Sequence, residues 1–302
     1  MTIIYVPDIE CDSCVKLITR KLKGEHFTDF TIKKDHIVLS GGASVDQVVS
    51  LIKSLGFRAS TKPFERKTFK ERIRHVKENK GSYELEIKGI WHAVKLFLIL
   101  TALSVFSYVG FLKGIPNFLS NYGWWMFYSI VTVTTVAAGV WHFYAYRAKM
   151  TCMVGMMVGM TFGMQTGMML GAVIGATNGF FVGCMVGMLA GVAIGGITGK
   201  CCGVMGIMEG MMAGLMGGTM GAMITVMMFS DHLLWFMPFY MIINVIIVAG
   251  LSYMLYEEVV EHNEDVQKQP IDFITLTSVG VIVLSIVVAI MIYGPKSALI
   301  SF

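Results

Sequence analysis

Charge is scarce in this 302-residue chain: Asp, Glu, Lys and Arg make up 15%, against about 25% in an ordinary soluble domain. With 55% hydrophobic residues and a mean hydropathy of +0.67, disorder and a purely soluble globule are both excluded. The charge that exists is unevenly placed. Of 24 Lys and Arg, 18 lie within the first 95 residues, so the formal +4 averages a basic head with a nearly uncharged body and says nothing about nucleic acid. Cysteine is sparse too. Two of the six cysteines stand near the N-terminus and four in or beside apolar helices, which is no secreted disulfide framework and points to reduced thiols. An apolar run begins only near Val94, so no cleavable signal peptide is expected. Catalytic machinery is missing as well: there is no Asp-Lys-Thr-Gly, no Cys-Pro-Cys and no hydrolytic triad. Gly199-Lys200 fails as a phosphate loop, because Ile194 stands where the first glycine belongs and Cys201 where Ser or Thr belongs. No enzyme, no nucleotide and no ATP coupling are expected.

Residues 1–63 read as two strand–helix–strand halves. The strands are placed at 2–6, 27–32, 37–39 and 57–60, with a turn at Asp35-His36. One helix carries Val15, Ile18 and Leu22 on its apolar side; the other, capped by Ser44 and ended by Gly56, carries Val45, Val48, Val49, Ile52 and Leu55. The order βαββαβ is the split ferredoxin-like plan, an α+β head. Cys11-Asp12-Ser13-Cys14 falls in the first strand-to-helix loop. Two thiols three positions apart, the second at a helix start whose dipole favours thiolate, suit linear Cu(I) or its soft relatives rather than a four-ligand zinc site. The alternative is a redox dithiol. With its loop cysteines and the Ser54-Leu55-Gly56-Phe57 stretch, this fifth of the chain resembles the heavy-metal-associated domain of copper chaperones and copper-pump N-termini. The resemblance implies metal binding by Cys11 and Cys14. It departs from the family at Ile9, where Met is usual.

Residues 64–93 form a basic connector. From Lys62 to Lys80 eight basic residues accompany three acidic ones, the composition of a solvated helix beside anionic lipid headgroups, with too few aromatics to stack nucleobases. The remainder, 94–302, is expected to be an all-α polytopic membrane domain of about seven spans: 94–112, 122–146, 150–176, 179–197, 201–229, 233–256 and 273–293. With the head in the cytosol, Arg147, Lys149, Lys200 and Lys268 fall inside and only Lys113 and Lys296 outside, which obeys the positive-inside rule and suggests the plasma membrane. Trp91, Trp124, Trp125, Trp141 and Trp235 fall at span ends, as an aromatic belt would.

Met150 to Met228 is the unusual stretch. Its 79 residues hold 19 of the 25 methionines, 20 of the 33 glycines and four cysteines, with Lys200 and Glu209 the only charges. Glycine recurs every fourth residue from Gly155, Gly159, Gly163 and Gly167 through to Gly203, then in shifted phase at Gly206, Gly210, Gly214 and Gly218. Such stripes let helix backbones touch, so spans three to five are expected as a glycine-zipper core inside a looser ring of spans one, two, six and seven. Methionine keeps the same period: Met156, Met160, Met164 and Met168 in span three, Cys184 and Met188 in span four, Met208, Met212, Met216 and Met220 in span five. Neutral thioethers about 6 Å apart along an axis can pass a soft ion between weak serial sites. Against this stands plain space-filling by a flexible apolar side chain. The combination is similar, as a motif only, to Met-rich copper transporters.

Cys152, Cys201 and Cys202 fall at the cytosolic ends of these spans, within reach of a cytosolic metal domain. Glu209 is the intramembrane acid, expected as a proton acceptor, an ion ligand or a partner of Lys200; Gln165 and Asn178 are lesser polar positions. Together these features predict a soft-metal membrane transporter or channel for Cu(I), with Ag(I) or Hg(II) as other cargo. Its expected partners are the metal ion, membrane lipid, a soluble metallochaperone and further copies of itself. A non-transporting metal sensor or metallochaperone scaffold, and a mercury transporter, are the alternatives.

Overall fold

The computed structural model describes residues 2–7, 9, 12–25, 27, 30–39, 45–55, 57–61, 84–110, 112–114, 118–147, 152–257, 267–268 and 272–297. The chain divides into two compact units, the first Met1–Tyr83 with Arg147–Thr151 and Glu257–Gln267, the second Glu84–Tyr146, Cys152–Tyr256 and Lys268–Phe302.

In the first unit β1 (Thr2–Tyr5), β2 (Phe30–Lys33) and β3 (His36–Leu39) make an antiparallel sheet of order β1-β3-β2. The β2–β3 turn places Asp35 at φ 72°, a left-handed conformation that Asp tolerates better than most side chains. Helices α1 (Asp12–Gly24) and α2 (Val45–Ser54) bury Ile18, Leu22, Val48 and Ile52 with Ile4 and Ile37 of the sheet. Two expected strands come out shorter. Phe27 precedes β2, its amide bonding the Leu22 carbonyl at 3.1 Å to close off α1. Residues 57–60 contact β1 through a single bridge, Tyr5 to Ser60, with amide–carbonyl bonds of 2.8 and 3.1 Å in the two directions. His36 opens β3 rather than forming the turn. Ser44, Gly56 and most of the basic connector lie outside the described residues.

Among the described residues the second unit has six helical segments long and apolar enough to cross a membrane: Ile87–Gly110, Phe118–Ala145, Cys152–Asn178, Phe180–Ser230, Leu233–Leu255 and Phe273–Tyr293. Helix α3 (Glu84–Gly110) starts ahead of the expected connector boundary. Next come α4 (Phe118–Ala145) and α5 (Cys152–Asn178). Phe180–Ser230 is 51 residues long, far more than the ~20 that span a bilayer core, and it does not run straight. A tight turn at Lys200–Cys202, closed by Gly203 at φ 69°, divides it into α6 (Phe180–Gly199) and α7 (Gly203–Met227). Helices α8 (Leu233–Leu255) and α9 (Phe273–Tyr293) follow. The α5–α6 reversal is made at Asn178-Gly179, where Gly179 has φ 103°.

Helices α5, α6 and α7 form a three-helix bundle with α6 antiparallel to the other two, and glycine is the reason they come so close. A Cβ at Gly187 of α6 would lie 2.9 Å from the Gly167 carbonyl and from the α-carbons of Gly171 and Gly218; one at Gly191 would lie 2.8 Å from the Gly214 carbonyl and 2.9 Å from that of Gly163. Any other residue there would force two backbones apart. The axis shared by these helices is filled with backbone and holds no lumen.

The surrounding helices are not the ring that the sequence suggested. Helices α4, α8 and α9 pack on α5, and α3 packs on α4 and α9, so they gather chiefly on the α5 side and leave outward faces of α6 and α7 bare. The α4–α5–α8 junction is tight: a Cβ at Gly139 would sit 2.7 Å from the Phe162 ring and 2.8 Å from Val248. Two of the five tryptophans placed in an aromatic belt are packing residues instead. Trp125 is buried, and Trp141, 2% exposed, sits against His92 with ring centroids 5.2 Å apart.

Candidate metal centre

Three thiols meet where α5 begins and the α6–α7 turn closes. Thr198 and Gly199 end α6, the short turn sets Cys201 and Cys202 side by side, and their sulfurs stand 3.8 Å apart. The Cys201 thiol also donates to the Thr198 carbonyl at 3.4 Å. Both sulfurs rest on Gly155 of α5: a Cβ there would come within 2.7 Å of Cys201 Sγ and closer still to Cys202 Sγ. Gly155, expected only as a helix-packing position, is therefore the floor of this thiol group. Cys152 lies one turn earlier on α5, near enough to Cys201 and Cys202 to interact with them electrostatically. None of the three is in a disulfide; Cys152 and Cys201 are exposed and Cys202 is half-buried. Among the described residues no group of three or more His, Cys, Asp or Glu side chains, these thiols included, is placed so that it could hold a metal ion.

The other expected site residues are dispersed. Cys14 is half-buried on the first turn of α1 and packs on the head core, while Cys11 lies outside the described residues. Ile9, the departure from the resembled family, is 2% exposed and belongs to that core. In α5, Met156, Met164 and Met168 are half-buried and Met160 is exposed; in α6, Cys184 is buried and Met188 half-buried. Cys184 stands 17 positions from Cys201 along α6, about 25 Å at helical rise, so it does not join the thiol group. Met208, Met212, Met216 and Met220 line the bare face of α7, nearly opposite its Gly206, Gly210, Gly214 and Gly218 stripe. Glu209 is half-buried and forms no ion pair among the described residues, with Lys200 or with any other side chain. Gln165 is buried, and its Oε1 has no hydrogen-bond partner among the described residues.

Two contributions escaped sequence reading. Ala213, Gly217 and Gly221 form a second small-residue stripe on α7, and Cβ atoms at Gly217 and Gly221 would lie 2.9 and 2.8 Å from the α-carbons of Met164 and Met168. Their four-residue spacing was the available signal, masked by the stronger stripe beside it. In the sequence Lys296 stands out only for its charge. Its ammonium donates to the carbonyls of Thr177 (3.0 Å) and Met291 (2.6 Å) at the ends of α5 and α9, and lies 4.8 Å from the Tyr122 ring centroid. Asn178, beside it, donates to the carbonyls of Ile290 (3.0 Å) and Pro295 (3.4 Å), the cross-helix bonding expected of an amide in a span.

No protein-family model matches the chain, and no curated protein or solved structure is similar to it.

Proposed function

We propose that this protein is a membrane transporter or channel for a soft monovalent metal ion, Cu(I) in the first place and Ag(I) as its mimic. The observation that carries the reading is the pairing of Cys201 and Cys202 over Gly155, with Cys152 one turn earlier on α5, at one end of the methionine-bearing helices. In this reading the head is a ferredoxin-like metal-binding domain on the cytosolic side, delivering or accepting an ion through Cys11 and Cys14. The 51-residue apolar segment crosses twice, making seven spans and placing the α6–α7 turn on the same side as the head. Exchange between a two-sulfur head and an open thiol group needs no redox step and no nucleotide. Thioethers on α5 and α7 extend the sulfur ligands toward the far side without adding charge.

The backbone-filled axis of the α5–α6–α7 bundle favours a second reading, a metal sensor or metallochaperone scaffold whose glycine core serves assembly and which moves no ion. Hg(II), with its preference for paired thiolates, is the competing cargo within the transport reading.

Ag(I) uptake into proteoliposomes decides between them. The wild-type protein should load the vesicles, and the Cys201→Ser/Cys202→Ser variant should fall to the level of protein-free vesicles while eluting as a folded protein. No uptake by the wild type in either orientation would leave the scaffold reading; undiminished uptake by the double variant would remove the thiol group from the path.

A further inference from the structure

Two thiols close enough to share an ion are also close enough to react with each other. Cys201 and Cys202 are successive residues of one short turn, and their sulfurs stand 3.8 Å apart. Successive side chains need not point the same way. Here α5 sets the direction of both, since each sulfur rests on Gly155 in the space that a Cβ there would fill. The turn is three residues long, preceded by Gly199 and followed by Gly203 at φ 69°, so the backbone on either side has the freedom to adjust around a new bond. The Cys201 thiol gives only a weak S–H bond to the Thr198 carbonyl, at 3.4 Å, which is readily given up. Cys201 is exposed and Cys202 half-buried, so a small molecule in the surrounding water reaches the pair.

We infer that Cys201 and Cys202 are a reversible oxidation site, closing a disulfide that withdraws the pair from the metal ion; the metal half of this rests on the soft-metal reading of the thiol group, and the disulfide does not. The oxidant is a low-molecular-weight disulfide of the glutathione class. Cys201, the more exposed, attacks one of its sulfurs as the thiolate, releasing one small thiol and leaving a mixed disulfide on the protein; Cys202 then displaces the other half. The protein pair gives up two electrons and two protons, and the small disulfide takes them up as two thiols. The α-carbons of neighbouring residues are about 3.8 Å apart, less than the ~4.4–6.8 Å usual across a disulfide. A bond closed over so short a span is readily reduced, which is the behaviour of a regulatory crosslink rather than a structural one. Metal and oxidant therefore compete for the same two sulfurs, because the thiolate is both the metal ligand and the nucleophile.

The experiment uses the full chain, reduced and then freed of reductant in detergent, with oxidised glutathione as the probe because it spares the thioethers. Cyanogen bromide cleaves after methionine, so Cys201 and Cys202 fall together in the fragment 189–205, which holds no other cysteine, and Cys152 falls in 151–153. On oxidation the fragment 189–205 should lose the mass of two hydrogens, and dithiothreitol should restore it. The same loss should persist in Cys152→Ser and be absent from Cys202→Ser, which should instead retain glutathione on Cys201. Excess Ag(I) added before the oxidant should prevent the loss in the wild type. A wild-type fragment that stays reduced, that keeps glutathione on one cysteine, or that emerges joined to 151–153 overturns the inference and leaves the metal reading intact. Ring closure undiminished by Ag(I) upholds the oxidation site and overturns the soft-metal reading of the pair.

Discussion

Glycine at single positions decides how near the helices come, and the effect is checkable one residue at a time. Gly187 meets backbone from both neighbouring helices at about van der Waals contact or less, so a methyl group there has no side chain to push aside. Gly187→Ala should lose about 1–3 kcal/mol, the usual cost of overpacking. Gly250 of α8 has nothing within 4 Å of the corresponding position. There Gly→Ala should gain about 0.4–1 kcal/mol by restricting the unfolded chain. Thermal unfolding of the two variants in the same detergent measures both, and a Gly187→Ala protein as stable as the wild type would contradict the backbone contacts. The four-residue glycine spacing could be read directly from the sequence because helical periodicity is local. That Gly155 carries two sulfurs could not, because it depends on where a turn 45 residues later brings Cys201 and Cys202.

At the scale of whole helices, the methionine ladders set chemistry against packing. Replacing Met156, Met160, Met208 and Met212 with Leu keeps volume and apolarity nearly constant, a swap that usually costs under ~1.5 kcal/mol at each core site. Met208 and Met212 are largely exposed, which lowers the cost further. The helices should therefore stay folded while Ag(I) flux into proteoliposomes collapses, since Leu has no lone pair. Gly210→Leu should do the reverse damage, because Gly210 faces the Gly195 backbone and any side chain there separates α6 from α7. Unchanged flux in the quadruple Leu protein would reduce the ladders to space-filling. The sequence was a good guide to the ladders' period and a poor one to their surroundings: in α7 they lie bare, in α5 mostly half-buried.

For the molecule as a whole, topology is the property to test. If the chain crosses seven times with the head inside, a membrane-impermeant maleimide applied to intact cells should leave the wild type unlabelled, although Cys152 and Cys201 are exposed. It should label Lys113→Cys, on the far side, and should reach Glu25→Cys only after the membrane is opened. Labelling of the native thiols from outside would reverse or break the proposed arrangement. Composition and spacing were sufficient for the long apolar helices, the two helices and small sheet of the head, and the glycine seams. All of these follow from local hydrophobic pattern and helical period. Three-dimensional packing alone settled which helices cover which, that Trp125 and Trp141 are internal, that Lys296 holds the ends of α5 and α9, and that Cys201 and Cys202 meet over Gly155 while Cys184 stands apart. The reason is physical. In a membrane protein, lipid and protein interior are equally apolar, so hydrophobicity along the chain cannot tell a lipid-facing side chain from a buried one; only the contacts between distant segments can.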